Sequence, residues 1–147
     1  MINLSTYKLE EYDLKNIDHK STLINLFNDK DTFKYMGNIL SFTESVITST
    51  DDISNIYIAY LDQKPVGFVS IYFLGKKYEI CYAILPSERN RNIASTLLGE
   101  FTDFIFGNYP IDDLYLYINR ENESSIKVAI KNDYVQNGIV EYKKSSR

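Results

Sequence analysis

At 147 residues, with 44% hydrophobic and 24% charged side chains, the chain is long enough to bury a core of its own and is neither disordered nor fibrous. A net charge of −4 and a pI near 5.0 argue against non-specific nucleic-acid binding, which needs a basic face, and modestly favour a cationic partner. The single cysteine excludes an internal disulfide, the single histidine leaves no visible metal-ligand set, and Met1 to Ser5 lacks the pattern of a secretory signal, so a cytoplasmic protein without a membrane span is expected.

In chain order, Asn3 to Glu10 reads as a first strand and Leu14 to Asn28 as a first helix, carrying Ile17, Leu23, Ile24, Leu26 and Phe27. His19 falls in a polar stretch, where a surface position is expected over a ligand or base. A less regular segment with Met36, Gly37, Leu40 and Phe42 leads to a second helical stretch near Thr43 to Ser49. An antiparallel meander follows: strand Ile56 to Leu61, turn Asp62 to Pro65, strand Val66 to Leu74, turn Gly75 to Lys77, strand Tyr78 to Leu85. Cys81 lies inside the last of these and is expected to serve as a small buried hydrophobe.

Pro86 ends that strand by removing a donor, and the segment Arg89-Asn90-Arg91-Asn92-Ile93-Ala94-Ser95 leads straight into a helix whose buried face is Ile93, Leu97, Leu98, Phe101, Phe104 and Ile105. The first N–H groups of such a helix are unpaired and carry the positive end of its dipole, so the loop suits an anion, with Arg89 and Arg91 beside it. A second strand-to-helix junction follows. Strand Leu114 to Ile118 is succeeded by Asn122, Ser125, Lys131, Asp133 and Tyr134 along a helix, and the chain closes in a hairpin with Asn137-Gly138 as its turn signal.

Arg89 to Ala94 resembles motif A of the GNAT acyltransferase family, in which Arg or Gln, two residues, Gly, one residue, then Gly or Ala wrap the pyrophosphate of coenzyme A. The family's central Gly is Asn92 here and another frequent Gly is Asn90; Asn is among the few other residues that enter the left-handed region cheaply, so the backbone cradle survives both changes. Asn122, Ser125, Lys131 and Tyr134 fall on the positions of motif B of the ribosomal-protein-type enzymes, with Asp133 in place of a Gly. The resemblance implies the GNAT fold over 1–147 as a single domain: an α/β (α+β) fold whose mixed, mostly antiparallel sheet has splayed fourth and fifth strands flanked by helices. It also implies acetyl-coenzyme A as cosubstrate, with the pantetheine arm in the opening and paired to Ala83, Ile84 and Leu85.

The implied reaction is acetyl transfer to a primary amine by direct attack, and each of its needs has a candidate. Glu79 matches a Glu-Ile-x-Tyr stretch of the ribosomal-protein type and is either the base that collects the amine proton or a cross-strand partner for a lysine on a solvent-facing edge. A backbone N–H near Leu85 is the implied oxyanion donor. The family's usual acid, a Tyr seven residues after the motif B Asn, is Ala129 here, which leaves Ser125, Tyr117 and Tyr82. The alternative for Ser125 is a helix-start hydroxyl, for Asn122 a helix cap, for Lys131 a charge against the helix dipole, and for Arg89 and Arg91 solvated charges. The implied acceptor is a small cationic amine or a protein N-terminus, no metal is required, and a monomer or a homodimer is expected, the short C-terminal end leaving the acceptor site incomplete in a monomer. The rival reading is a catalytically weak domain of this fold that binds acyl-coenzyme A or a protein partner.

Overall fold

The computed structural model describes residues 1–13, 15–36 and 55–146, so the helix expected near Thr43 to Ser49 lies outside the described residues. The expected first strand is two pieces, β1 (Ile2–Asn3) and β2 (Lys8–Glu11), folded back on each other. Leu4 N–H donates to Tyr7 O at 2.8 Å to close that turn, and the buried Tyr7 hydroxyl bonds the Thr96 side chain across the core.

Helix α1 (Ile17–Phe27) starts at Ile17, later than expected, where Asn16 caps it with its side chain accepting from His19 N–H at 3.2 Å. Leu23 and Leu26 are buried, whereas Ile17 is 83% exposed and Ile24 is also exposed, so the apolar face is narrower than the spacing suggests. His19 corrects the surface expectation, for it is only 2% exposed. Its Nδ1 accepts from Asp13 N–H at 3.0 Å, its Nε2 lies 3.0 Å from Glu10 Oε1, and Tyr12 and Tyr60 flank the ring. Polar neighbours in sequence concealed a packing site built by β2, α1 and the next strand. A short helix the sequence did not suggest, α2 (Lys30–Met36), follows at once, with Asp29 Oδ2 accepting from Thr32 N–H at 2.9 Å.

β3 (Asn55–Leu61), β4 (Lys64–Leu74) and β5 (Lys77–Ile84) form the meander. Its two turns are tight, with Asp62 and Gln63 at φ 51° and 66° and Gly75 and Lys76 at φ 58° and 68°. Pro65 lies inside β4 rather than in the turn: the register slips between Ala59 and Tyr60, a bulge that tolerates a residue without N–H. Then come a single 3-10 turn (Pro86–Glu88), α3 (Ile93–Asn108), β6 (Asp113–Tyr117), α4 (Glu123–Lys131), β7 (Val135–Gln136) and β8 (Glu141–Ser145). The closing hairpin forms, but not on a two-residue Asn-Gly turn. Gln136 pairs with Tyr142, Asn137 N–H donates to Glu141 O at 2.7 Å, and neither Asn137 nor Gly138 has positive φ.

The eight strands make one sheet in the order β1-β2-β3-β4-β5-β6-β8-β7, antiparallel except for β5 against β6. One face packs on α3 and α4 through Val69, Ile80, Leu97, Phe101, Leu114 and Ala129, and the other packs on α1 through Leu23, Leu26, Ile58 and Phe68. The β5–β6 pairing consists of Glu79 opposite Tyr115, so β5 runs on from Ile80 to Ile84 with no β6 partner. At Gly99 an added Cβ would stand 2.6 Å from Asn132 Oδ1, which is how closely the end of α4 docks on α3.

Candidate active site

Where β5 and β6 part, a cavity of about 500 Å3 opens. Its lining comes from the end of β5 (Tyr82, Ala83, Ile84), the loop at Glu88, Arg89, Asn90 and Asn92, the first turn of α3 (Ile93, Ala94, Ser95), the first turns of α4 with Asn122, Ser124, Ser125 and Val128, and Asp31 and Thr32 of α2. Leu85 N–H donates to Val66 O at 2.8 Å, so Leu85 is not the free donor expected for the oxyanion and does not line the cavity. Backbone groups alternate sides along an antiparallel ladder, and the residues whose N–H and C=O face away from β4 are therefore Tyr82 and Ile84. The Ile84 carbonyl is taken by Arg89 Nε at 3.2 Å.

Asn90 and Asn92 stand at φ 65° and 62°, the left-handed backbone that the two missing glycines require. The first bond of α3 is Thr96 N–H to Asn92 O at 3.2 Å, and the N–H groups of Ile93, Ala94 and Ser95 precede it with no capping side chain. The arginines are not free charges. Arg89 is paired to Asp29 at 2.7 Å. Arg91 pairs with Glu88, a carboxylate buried at the cavity wall and also held by Lys64 at 2.7 Å. Arg91 and Lys131 do not line the cavity. Lys131 reaches the loop from outside, its Nζ donating to Asn92 Oδ1 at 3.1 Å.

At the other wall Asn122 is the cap of α4, with its Oδ1 accepting from Ser125 N–H at 3.3 Å and its Nδ2 donating to Ser125 Oγ at 3.1 Å. Asp133, at φ 66°, takes the left-handed place of the family Gly. The Tyr82 hydroxyl is buried without a hydrogen-bond partner; it feels the neighbouring Ser125 side chain without reaching bonding geometry, and burial pushes its pKa up to about 12. Sequence reasoning missed Asp31, Thr32, Glu88, Ser124 and Val128 as lining residues.

Glu79 and Tyr117 do not line this cavity; they share the sheet face of Ala83, opposite Tyr82, Ile84 and the helices α3 and α4. Glu79 is 7% exposed, and its cross-strand partner is Tyr72, not a lysine, with the Tyr72 hydroxyl donating to Glu79 Oε2 at 2.5 Å. Burial raises the Glu79 pKa, partly opposed by that bond. Tyr117 is half-exposed and donates to Glu141 Oε1 at 2.7 Å, while Lys77 Nζ holds the same oxygen at 2.5 Å and lies 4.8 Å above the Tyr115 ring. Cys81, half-buried, stands between Glu79 and Ala83 with its thiol pKa pushed to about 12 by burial.

The donor set fits an elongated anionic ligand with an amide-bearing arm: a row of open amides at a helix start, an unpaired strand edge, and an orphaned phenol at its far wall. No metal-holding group of His, Cys, Asp and Glu occurs among the described residues, and no helix among them is long and apolar enough to cross a membrane.

No curated protein matches the chain in sequence. Solved structures do match its fold. An acetyltransferase of the GNAT family from Bacillus anthracis aligns over 99% of this chain and 98% of its own at 16% identity, with a TM-score of 0.77. Spermidine N-acetyltransferase from Vibrio cholerae, in complex with CoA and spermine, aligns over 91% and 83% at 18% identity and 0.72. The acetyl transferase from Salmonella typhimurium that modifies the N-terminal serine of 50S ribosomal subunit protein L7/L12 aligns over 96% and 95% at 16% identity and 0.72. At such identities the likeness speaks for the fold alone. The sequence itself matches the Acetyltransferase (GNAT) family over residues 18–133, a span holding both left-handed asparagines, the parted strands and both helix starts, and the chain belongs to that family.

Proposed function

We propose that the protein is an acetyl-coenzyme A dependent N-acetyltransferase that acylates a primary amine by direct attack. The observation that carries this reading is the cavity between the parted strands, with α3 amides at one end and the unpartnered Tyr82 hydroxyl in its wall. The residues present fit coenzyme A. The amides of Ile93, Ala94 and Ser95 would hold the pyrophosphate within the turn made by Asn90 and Asn92, with Lys131 at its rim. The open groups of Tyr82 and the Ile84 N–H would pair the pantetheine arm as an added strand does. When bound, the cosubstrate supplies the acetyl thioester.

The chain's own part is proton handling and orientation. Glu79, on the face that carries α1, is the base for the incoming ammonium, which has a pKa of about 10.4 in an alkylamine. Its raised pKa brings it nearer that task than an exposed carboxylate. Ser125, oriented by Asn122, stands in the cavity wall as the donor toward the leaving sulfur, with Tyr82 beside it. Tyr117 is tied to Glu141, which favours a place on the acceptor side over an acid role. Glu79 and Glu141 on one face favour a cationic acceptor, and two structural neighbours are named for a polyamine and for a protein N-terminus.

The deciding experiment follows free thiol released from acetyl-coenzyme A in the presence of spermidine, simple alkylamines and a peptide with a free N-terminal serine. At least one amine is expected to raise thiol release well above the no-amine blank. Release at the blank rate with every amine, despite a coenzyme A thermal shift, would leave a binding domain instead.

A further inference from the structure

Asp29 never touches the cavity, yet it organises one of its walls. Its Oδ2 accepts from Thr32 N–H at 2.9 Å, from Thr32 Oγ1–H at 2.6 Å and from Arg89 NH2 at 2.7 Å. Arg89 NH2 also donates to Thr32 Oγ1 at 2.8 Å, which closes a three-membered network, and Arg89 Nε reaches back to the carbonyl of Ile84. Burial alone would raise the Asp29 pKa; the bonds from Thr32 and Arg89 outweigh it, so the carboxyl sits below its ordinary value and is charged at neutral pH. The network joins the start of α2 to a segment about 60 residues away in sequence, the end of β5 at Ile84 and the loop that follows it at Arg89. Thr32 and Arg89 line the cavity, and Thr32 is 4% exposed.

We propose that Asp29 is a positioning residue for coenzyme A binding: acting through Arg89 and Thr32, it fixes the α2 wall and the cofactor loop at the spacing the ligand needs. The inference rests on the reading of this cavity as the coenzyme A site. It makes a prediction opposite in sign to simple electrostatics. A carboxylate near a polyanion repels it, so removing its charge should tighten binding if charge is its only influence. If it positions, removing the charge should weaken binding.

Asp29→Asn is the apt change, because Asn still caps α2 through Thr32 N–H while losing the charge-assisted bond to Arg89. Coenzyme A itself is titrated calorimetrically into the parent, D29N, R89M and the double variant. The Kd is expected to rise about tenfold in D29N and to change less than about twofold when D29N is added to R89M, since interactions routed through one partner are not additive. Thr32→Val should weaken binding while Thr32→Ser keeps it, and this pair carries the test if D29N does not fold. Equal or tighter binding in D29N, or the same loss on both backgrounds, overturns the proposal. A parent that binds no coenzyme A removes the cavity reading as well, which separates that failure from the first.

Discussion

Burial holds the Glu79 carboxyl above its ordinary range, with the Tyr72 bond pulling the other way and Glu141 adding to the rise. A carboxyl whose pKa is higher folded than unfolded contributes stability below its unfolded value and loses that contribution as pH rises through the folded value. Once ionised, Glu79 therefore opposes folding, and Glu79→Gln, which retains an acceptor for Tyr72, is expected to leave stability unchanged or raise it by up to about 1 kcal/mol at pH values above the raised pKa. A pH series of thermal melts checks this, the gain of the variant over the parent growing as pH rises. Turnover of the same variant should fall by about 10²-fold at neutral pH, the usual scale of a general base, and recover as pH nears the pKa of the amine. Lower stability with unchanged turnover per folded molecule would assign Glu79 to the sheet alone.

At the scale of elements, the strand that borders the cavity is held by a close approach that tolerates no side chain. A Cβ on Gly67 would stand 2.1 Å from Ala83 O and 3.0 Å from Ile84 Cα, so Gly67→Ala must push β4 from β5 at the residues that line the cavity. A loss of roughly 1–3 kcal/mol is expected from overpacking, read as a lower urea midpoint. Most elements were legible because their signals are local. The β5 and α3 junction reads from Pro86, from Asn at two left-handed positions and from an apolar helical face; the meander reads from alternating β-branched and aromatic runs. What escaped depends on distant partners. The α2 helix carried one local signal, Asp29 three residues before Thr32, but its place against Arg89 is set by a residue 57 positions away. His19 is buried by Tyr12 and Tyr60, Glu79 is satisfied by Tyr72, and the Asn-Gly turn is overruled where Asn137 bonds Glu141.

Over the whole molecule the carboxylates with lowered pKa set the acid limit of the fold. Glu10 is lowered by its bond from His19 and Glu88 by its bond from Lys64; Asp29 is lowered despite its burial; Glu141 is brought down to about 2, chiefly by Lys77 and then Tyr117. A depressed carboxyl contributes stability above its unfolded pKa and loses it as pH falls through its folded one. The melting temperature is expected to hold above about pH 5 and to drop steeply between about pH 4 and 2, the interval over which Glu141 passes from its ordinary pKa to its folded one. Glu141→Gln should flatten the lower part of that fall in a pH series of thermal melts.

The single Glu79–Tyr115 rung between β5 and β6 has a mechanical meaning. Strands β1 to β5 and β6 to β8 are in effect two ladders, tied among the described residues by that rung, by Lys77 reaching across to Glu141 and Tyr115, and by the shared apolar face of α3 and α4. Side-chain packing resists compression but, unlike a hydrogen-bonded ladder, does little to oppose shear along the strand axis. On the proposed reading, a pantetheine arm paired with Tyr82 and the Ile84 N–H would insert the missing rungs from outside the polypeptide and complete the sheet as a ninth strand would. On that reading, stiffness against shear between the two ladders would be a property of occupancy, greater with the ligand bound than without it.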